Sequence, residues 1–500
     1  MPRAQSAIPD SVDLLVIGGG VNGAGIARDA AGRGLSVMLL EQGDLAGATS
    51  SASSKLVHGG LRYLEYGEIR LVHEALGERE VLLRNARHIV RPMRFVLPHD
   101  RRLRPRWMIR AGLFLYDHIG GRRELPGTET IDCARHPYGA PLRAGLRTAF
   151  VYSDCWVDDA RLVVLNARDA ARRGAAVLTR TELIAARRDG TRWSARFRLP
   201  DGAEREVAAA VLVNAAGPWV ARVLQRCGIA AAHTELRLVK GSHIVLPRLY
   251  DGDQAYLLQN DDRRVIFVLP FAERFTLIGT TDLPFAGDPG GVAIDTAETE
   301  YLCRAVSSWL ARPVTPDKVV WSYAGVRPLH DDRAKNAAAV TRDYLLDIDA
   351  AGPPALSVFG GKITTYRRLA EHALQKLQPF LPGAQSAWTA TAPLPGGEIP
   401  ASGPAALAAT LIAERPWLGE ARALRLARSY GSEAVRLLGE ARRSEDLGPD
   451  FGAGLTTREV EWLVAEEWAR TAEDILWRRS KLGLVAPPAT ATALAAYLAR

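Results

Sequence analysis

Short apolar runs alternate with helical stretches of small residues along this chain, most clearly near its start. Residues 14–17 are apolar without helical period, three glycines follow, and residues 24–32 have the spacing of a small-residue helix. A second apolar strand is predicted for residues 36–40. The pattern therefore predicts a strand, a tight turn, a helix and a second strand, which is the first unit of a parallel α/β sheet.

The glycines of this turn have a spacing that suits a dinucleotide. Gly18, Gly20 and Gly23 follow the G-x-G-x-x-G pattern, in which the glycines permit the turn, the approach of a pyrophosphate and close packing of helix on strand. Glu41 ends the second strand, where a carboxylate can bind both hydroxyls of an adenosine ribose and would repel the extra phosphate of NADP. A plain βα turn is the weaker alternative. We predict a site for NAD or FAD, and the motif leaves the choice open.

Strand and turn patterns continue through the rest of the chain. Residues 193–199 and 206–213 alternate as a hairpin, and the second strand runs into a small-residue turn that contains Gly217. Four short strands between residues 235 and 281 predict an antiparallel sheet. A third strand-turn-helix pattern has its glycine-rich turn at residues 360–365, where a helix start can stabilise negative charge on a flavin.

These patterns predict an α/β protein with a discontinuous dinucleotide-binding domain, an antiparallel β domain and a C-terminal all-α domain. A proline- and glycine-rich link precedes the last domain, whose residues have helical period. The predicted boundaries are 1–80, 151–230 and 351–390 for the three parts of the dinucleotide-binding domain, 81–150 for a basic membrane-associating insertion, 231–350 for the β-rich substrate domain with returning elements, and 391–500 for the helices.

Composition narrows the class of protein and its location. The chain has 500 residues, 47% of them apolar, which is enough for two or three globular domains. No signal-peptide core and no apolar run of roughly eighteen residues are present, so we expect a cytosolic protein or one attached to a cytosolic membrane face. The four cysteines lie far apart and predict neither a zinc site nor a redox dithiol.

Charge is distributed unevenly. The net charge is +8, and eleven arginines lie between residues 84 and 123 against only Asp100 and Asp117. This concentration indicates an anionic surface or an anionic substrate. A nucleic acid is the alternative from another class of function, but the apolar aromatic residues of the same stretch disfavour it, and we predict no nucleic-acid partner.

The segment after Glu41 contains the densest group of candidate site residues. Its first half is small and polar and suits a loop around a phosphate and a flavin; the candidates are Ser50, Ser51, Ser53, Ser54 and Lys55. Next comes His58, followed by Gly59 and Gly60, which permit close approach to a flat ring, and then Arg62 and Tyr63. A flexible surface linker is the alternative, but linkers rarely bring lysine, histidine, arginine and tyrosine so close together.

In this order, the motifs of the chain closely resemble those of the FAD-dependent, aerobic respiratory glycerol-3-phosphate dehydrogenases. The resemblance covers nearly the whole chain and rests on GGGVNGAGIARDAAGRGL, SSASSKLVHGGLRYLE, SDCWVDDARLV, VNAAGPWV, KGSHIVLP, IGTTD, AGVRPL, FGGKITTYRRLAEHAL and the C-terminal helical block. It implies FAD bound in a Rossmann-like domain of the amino-acid-oxidase, or glutathione-reductase-like, type. The cofactor would contact Gly18, Gly20, Gly23, Glu41, Ser50, Ser51, Ser54, Lys55, Gly59, Gly217, Gly361, Lys362 and Thr364.

The resemblance also implies a reaction and a substrate site. A hydride would pass from C2 of glycerol 3-phosphate to FAD, giving dihydroxyacetone phosphate, and Arg62, Tyr63, Arg327 and Lys362 would surround the phosphate or the flavin. Arginine and lysine on glycine-rich segments independently suit a phosphomonoester dianion. We name Arg327, His243 and His58 as catalytic residues; His243 is the preferred base, His58 is second, and a merely hydrogen-bonded role is as probable for each.

The implied electron acceptor is ubiquinone or menaquinone, which places the protein on the cytoplasmic face of the inner membrane. Residues 106–119 fit an interfacial helix that is too short to span, with an ordinary core helix as the alternative. A glycerol-3-phosphate oxidase that uses oxygen and another flavin amine or amino-acid oxidase remain alternative functions. No metal is predicted, and the oligomeric state is left open, with a homodimer among the options.

Overall fold

The computed structural model describes residues 8–100, 104–120, 124–229, 236–262, 264–330 and 344–500. Its strands, numbered along the chain, are β1 (Ser11–Ile17), β2 (Val37–Glu41), β3 (Leu56–Val57), β4 (Val90–His99), β5 (Glu129–Asp132), β6 (Thr148–Val157), β7 (Ala176–Thr179), β8 (Glu182–Asp189), β9 (Arg192–Arg198), β10 (Glu204–Asn214), β11 (Leu236–Pro247), β12 (Ala255–Gln259), β13 (Val265–Phe271), β14 (Phe275–Gly279), β15 (Leu283–Pro284), β16 (Trp321–His330), β17 (Leu345–Asp349) and β18 (Ala355–Phe359). Its α-helices are α1 (Val21–Gly32), α2 (Ile69–Asn85), α3 (Arg106–Ile119), α4 (Asp159–Arg172), α5 (Val220–Arg226), α6 (Thr296–Ser307), α7 (Tyr366–Leu377), α8 (Pro404–Glu414), α9 (Glu420–Tyr430), α10 (Ala434–Leu438), α11 (Thr457–Glu467) and α12 (Ala489–Leu498).

The first sheet brings three turns to one edge. Its eight strands include the path β17-β18-β10-β1-β2-β7, and the β8–β9 hairpin continues from β10. Strand β1 runs parallel to both β2 and β10, and β18 runs parallel to β10. The carboxyl ends of parallel strands meet at the same edge, so the turns after β1, β10 and β18 lie side by side, where α/β sheets bind ligands.

Small residues allow helices to pack tightly on this sheet. Helix α1 contacts α4 and α7, and these helices cover one face of the sheet over a single apolar core. A Cβ atom on Gly25 of α1 would come within 2.7 Å of the Tyr366 ring, so a larger residue would push α7 away. The β8–β9 hairpin contributes Trp193 and Phe197 to the core on the other face.

The second sheet is mainly antiparallel and has ten strands. Its main path is β15-β11-β14-β13-β12-β4-β6-β3, with β16 beside β11 and β5 beside β6. Leu302 and Val306 of α6 pack on one face, and α2 and α3 pack on the other through Val72, Leu113 and Tyr116. This sheet is the predicted β domain, built around the long β11–β16 pair.

The region predicted as an insertion, residues 81–150, contributes directly to the second sheet. Strands β4 and β6 pair along their full length, from Val90 opposite Val157 to His99 opposite Thr148. Strand β17, which was expected within the β domain, pairs with β18 in the first sheet. Side chains of β4 and β6 lie in the core of the second sheet, and Leu113 and Tyr116 of α3 pack against the same core.

The C-terminal helices α8 to α12 form their own apolar core and dock against α4. Buried ion pairs join the two domains: Arg161 pairs with Glu467, and Arg168 pairs with Glu433 at 2.6 Å. Within the described ranges, no helix combines the length and the apolar character needed to cross a bilayer.

Candidate functional site

The turn after β1 can be formed only by glycine at two of its predicted positions. Gly18 has φ +110°, and a Cβ atom there would lie 2.5 Å from the carbonyl oxygen of Ala215. A Cβ atom on Gly23 would lie 1.9 Å from the carbonyl oxygen of Gly18. The absence of side chains brings the start of α1 against the turn and leaves its first N–H groups pointing at the sheet edge.

Glu41 closes the same turn from the end of β2. Its two carboxylate oxygens accept hydrogen bonds from the backbone N–H groups of Gly19 at 2.6 Å and Gly43 at 2.7 Å. Burial raises the pKa of Glu41 above its ordinary value, although the two backbone hydrogen bonds oppose this shift. The carboxylate is thus fixed in the position that the sequence predicts for a ribose-binding acid.

A long cavity of 610 Å³ runs from this acid to the turn after β18. Its volume lies within the range of ligand pockets. Thirteen predicted site residues line it: Gly18, Gly20, Glu41, Ser50, Ser53, Ser54, His58, Tyr63, Gly217, Arg327, Gly361, Lys362 and Thr364. The others lie behind the wall or in a neighbouring cavity: Gly23, Ser51, Lys55, Gly59, Arg62 and His243.

The side chain of Lys55 lies away from the cavity, contrary to the predicted cofactor contact. Its Nζ is fully buried and donates to both carboxylate oxygens of Asp159, at 2.8 and 3.0 Å, and to the carbonyl of Ser51 at 3.0 Å. Ser53 Oγ donates to the same carboxylate at 2.7 Å. An ammonium buried this deeply needs a carboxylate partner, so Lys55 and Ser51 tie the loop to the start of α4 and present no side chain to a cofactor.

Gly59 and Ser50 form hydrogen bonds within the protein that their residue types alone do not predict. The N–H of Gly59 donates to the hydroxyl of Tyr116 at 2.8 Å, which joins the His58 loop to α3. The hydroxyl of Ser50 accepts from the N–H of Val21 at 3.0 Å, in the first turn of α1. Ser50 therefore meets the helix start where a pyrophosphate is expected.

A second cavity of 230 Å³ adjoins the first beside His58 and Tyr63. Both are bordered by His58, Tyr63, Phe267 and Thr280. The second cavity holds Arg62 on its wall and extends to Met108, Ile109 and Gly112 of α3. The predicted substrate residues are therefore divided between two adjoining cavities.

The cations near this junction differ in their partners. Arg327 donates to Asp282 at 2.5 Å and to the Thr280 hydroxyl at 3.1 Å, so its guanidinium is held in place. Lys362 Nζ lies 4.0 Å from the centre of the Tyr63 ring. In the part of the chain that the structure describes, neither Lys362 nor Arg62 has a carboxylate at ion-pair distance. Cations without a counter-ion beside a cavity favour an anionic ligand.

The two candidate bases have opposite surroundings. His243 is 1% exposed, its Nε2 lies 2.9 Å from Ser54 Oγ, and its ring stacks on Tyr323. Burial, aided by the charges of Arg327 and Lys55, lowers the pKa of His243 well below its ordinary value. His58, in contrast, borders both cavities and makes an edge contact with Phe267. Of these two histidines, His58 lines the cavities and His243 does not.

Sequence reasoning missed several residues of the cavity wall, among them Asn22, Glu473 and Arg478. Asn22 Nδ2 donates to the carbonyl of Gly360 at 3.2 Å, while its Oδ1 is buried without a hydrogen-bond partner among the described residues. Glu473 and Arg478 reach the wall from the C-terminal domain. Asn22 lies inside the glycine motif and could have been found there, whereas nothing distinguishes Arg478 among the many arginines of that domain.

These features define the class of protein. A glycine-lined turn at a helix start, a fixed acid and a long cavity along one sheet edge fit a dinucleotide, and the unsatisfied Oδ1 of Asn22 lies where the first and third turns meet. Residues 13–367 match the family described as FAD dependent oxidoreductase, and residues 387–499 match the C-terminal domain of alpha-glycerophosphate oxidase. The fold and the cofactor are those of an FAD-dependent oxidoreductase, as predicted.

Individual relatives narrow the family further. The chain is 54% identical to a glycerol-3-phosphate dehydrogenase of Pseudomonas aeruginosa, over 99% of this chain and 96% of the relative. It is 51% identical to a D-erythritol 1-phosphate dehydrogenase of Brucella abortus, over 95% of each. A solved glycerol-3-phosphate dehydrogenase of Bacillus halodurans, complexed with FAD, superimposes with a TM-score of 0.75 at 27% identity, covering 95% of this chain and 86% of that one. The chain belongs to the FAD-dependent glycerol-3-phosphate dehydrogenases.

Proposed function

We propose that this protein oxidises sn-glycerol 3-phosphate to dihydroxyacetone phosphate with bound FAD. We further propose that ubiquinone or menaquinone takes the electrons at the cytoplasmic face of a membrane. The names of the relatives support the substrate. The observation that carries the proposal is the group of cations around the junction of the two cavities, where Lys362 and Arg62 have no carboxylate partner in the described chain.

The three cations have different parts in binding the phosphate. Arg327 donates to Asp282 and to the Thr280 hydroxyl, which hold its planar guanidinium in a fixed orientation beside the main cavity. Lys362, over the Tyr63 ring, and Arg62 supply positive charge that is not neutralised by the protein. Each charge-assisted hydrogen bond to phosphate contributes roughly 1.5–3 kcal/mol, which accounts for selection of a phosphorylated substrate over glycerol.

The chemical step requires a hydride acceptor and a base. When bound, FAD would supply the acceptor for the hydride that leaves C2 of the substrate. We assign His58 as the base that takes the C2 hydroxyl proton, because its ring borders both cavities. Burial lowers the pKa of His243, which makes it a weaker base, and its Nε2 lies 2.9 Å from Ser54 Oγ, so we assign His243 to positioning the Ser54 hydroxyl. The original preference for His243 is thereby reversed.

The histidine assignment has a direct test. His58→Asn is expected to slow anaerobic flavin reduction by roughly a hundredfold or more, the usual contribution of a general base. His243→Asn is the matched control and keeps a hydrogen-bonding group near Ser54. A larger loss of reduction rate in His243→Asn than in His58→Asn would restore His243 as the base.

The quinone proposal is supported by the second cavity and by α3. That cavity adjoins the flavin end and extends to Met108 and Ile109 of α3. On the outer side of the helix, Trp107 is 69% exposed and Phe114 is 64% exposed, beside the exposed Arg106. Exposed aromatic residues with flanking arginines are typical of a helix that lies in a membrane interface, where a quinone is dissolved.

One experiment tests substrate and acceptor together. The purified protein is mixed with glycerol 3-phosphate under nitrogen, and loss of the oxidised flavin absorbance is followed. Bleaching is expected with glycerol 3-phosphate and little with glycerol; failure to bleach contradicts the proposal. Reoxidation by a soluble quinone faster than by dissolved oxygen supports the quinone reductase, and the reverse order indicates the oxidase alternative.

Longer phosphorylated polyols form a second candidate substrate class. A relative at 51% identity is named a D-erythritol 1-phosphate dehydrogenase, and the second cavity offers 230 Å³ beside Arg62. The same anaerobic assay with erythritol 1-phosphate compares the two. A higher kcat/KM for the four-carbon substrate would make it the preferred one.

A further inference from the structure

The C-terminal domain reaches the cofactor cavity through one short element. Residues Asp474–Arg479 form a π-helical turn, and Arg478 of this turn, together with the preceding Glu473, lines the cavity wall. The wall there also contains Glu41 and Asp44. A domain remote in sequence therefore borders the end of the cavity at which Glu41 is fixed.

Two arginines of the turn hold the loop that follows Glu41. Arg479 is fully buried and forms a two-pronged pair with Asp44, with both N–O distances at 2.7 Å. Arg478 Nε donates to the same carboxylate at 2.6 Å. Asp44 lies one residue after Gly43, whose N–H fixes the Glu41 carboxylate. The two arginines thus act on Glu41 through a single short loop.

The other side of the loop is anchored to the same turn. Asp474 accepts from Arg180 at 2.6 Å and from the backbone N–H of Arg470 at 2.7 Å. Burial disfavours the charged carboxylate, but these partners outweigh it and lower the pKa of Asp474 to about 2. Arg180 in turn donates its backbone N–H to the carbonyl of Gly43 at 2.8 Å. Loop 41–44 is therefore held by two sets of contacts to the C-terminal domain: Asp44 through Arg478 and Arg479, and Gly43 through Arg180.

We propose that this turn is a cofactor latch: by holding loop 41–44, Arg478 and Arg479 keep the ribose-binding carboxylate in place and retain FAD. Arg479 is a positioning residue that acts through Asp44, and Arg478 also forms part of the cavity wall. The physical reason is pre-organisation, because a loop already fixed loses little entropy when the cofactor binds. The inference depends on FAD as cofactor and not on the identity of the substrate.

The test measures flavin release from the holoenzyme. Arg479→Ala is expected to release FAD about ten- to a hundredfold faster than wild type, measured as the rise of free-flavin fluorescence after dilution, since it removes charge-assisted hydrogen bonds that orient the loop. Arg479→Lys keeps the charge but loses the two-pronged geometry, so its release rate should fall in between. Substrate turnover is not needed for the measurement.

A matched control separates a latch from general loosening of the domain. Arg425 pairs with Glu459 at 2.6 and 2.7 Å, in the same two-pronged geometry within the C-terminal domain but away from the cavity. Arg425→Ala should destabilise the domain to heat while leaving the flavin release rate at the wild-type value. Wild-type release from a folded Arg479→Ala, or equal acceleration in Arg425→Ala, would overturn the proposal. If Arg479→Ala does not fold, Arg478→Met is measured in its place, because the Arg478 side chain is less buried. Wild-type flavin release from Arg478→Met would then overturn the proposal.

Discussion

Replacing Lys362 with methionine tests the phosphate assignment most directly. The side chain borders the main cavity and has no carboxylate partner in the described chain. Its one packing interaction that the structure shows is with the Tyr63 ring, at 4.0 Å from the ring centre. Methionine preserves most of the length and apolar volume of the side chain while removing the charge, so the perturbation is confined to the interaction with an anion.

The expected magnitude follows from these contacts. A charge-assisted hydrogen bond to phosphate contributes roughly 1.5–3 kcal/mol, which corresponds to a loss of about ten- to a hundredfold in kcat/KM for glycerol 3-phosphate. The interaction with Tyr63 contributes about 0.5–1 kcal/mol to folding, so unfolding free energy should fall by no more than that. Activity should therefore fall far more than stability.

The assay is steady-state kinetics with a soluble dye as acceptor, together with flavin content and thermal unfolding. Glycerol, which lacks the phosphate, should be a poor substrate for the wild type and lose little more in Lys362→Met. Lys376→Met is the control, because Lys376 lies on α7 beyond the same turn and its Nζ donates to the carbonyl of Leu346. A kcat/KM within about twofold of wild type would refute the assignment. A flavin-depleted variant would instead place Lys362 against the cofactor.

Three further predictions concern the cofactor, the membrane and pH. Glu41→Ala should release FAD faster than wild type on dilution, and equal retention would exclude the ribose-binding role. The wild-type protein should sediment with anionic vesicles and be partly released by salt. The double variant Trp107→Glu, Phe114→Glu should stay in solution and keep its activity with a soluble dye as electron acceptor. If the double variant still sediments, the membrane anchor lies elsewhere. Burial, aided by two nearby arginines, lowers the pKa of His88 to about 3. Below about pH 6.5 the unfolded chain binds a proton at this histidine and the folded chain does not. The free energy of unfolding should therefore fall as the pH falls from about 6.5, by about 1.4 kcal/mol per pH unit. His88→Leu should show a shallower loss in urea unfolding between about pH 7 and about pH 5, and identical slopes would contradict this account.

The elements of the first sheet could be predicted because their signals are local. An apolar run followed by glycines, as at Gly18, encodes its strand and turn in fewer than ten residues, and β1, α1 and β2 occupy the predicted positions. The assignment of residues 81–150 could not follow from the same reasoning. Strand β4 pairs with β6, whose partner residues lie about fifty to seventy positions later, and a pairing of that range leaves no trace in the spacing of either strand.

In the candidate site, too, some residues could be predicted from local sequence and others could not. Gly18, Glu41 and Lys362 lie at strand ends and helix starts, where residue type and position together indicate a ligand, and all three line the cavity. Lys55 is also a lysine in a site-bordering loop, yet its buried ammonium pairs with Asp159 and does not line the cavity. A sequence does not reveal on which side of a loop a long cation lies, so this error could be removed only by the coordinates.

For helix α3, the periodic pattern of apolar residues cannot distinguish a membrane-interface helix from a core helix. Its apolar residues surround most of the helix, and this arrangement suits both an interfacial anchor and a core helix. In the structure the two faces of the helix differ: Leu113 and Tyr116 are buried against the second sheet, and Trp107, Phe114 and Leu115 are exposed. The hydroxyl of Tyr116 is committed to Asp154 and to the N–H of Gly59, so this aromatic side chain is unavailable to lipid. Any membrane contact must therefore be made by the exposed outer face, while the inner face connects α3 to the loop that carries His58.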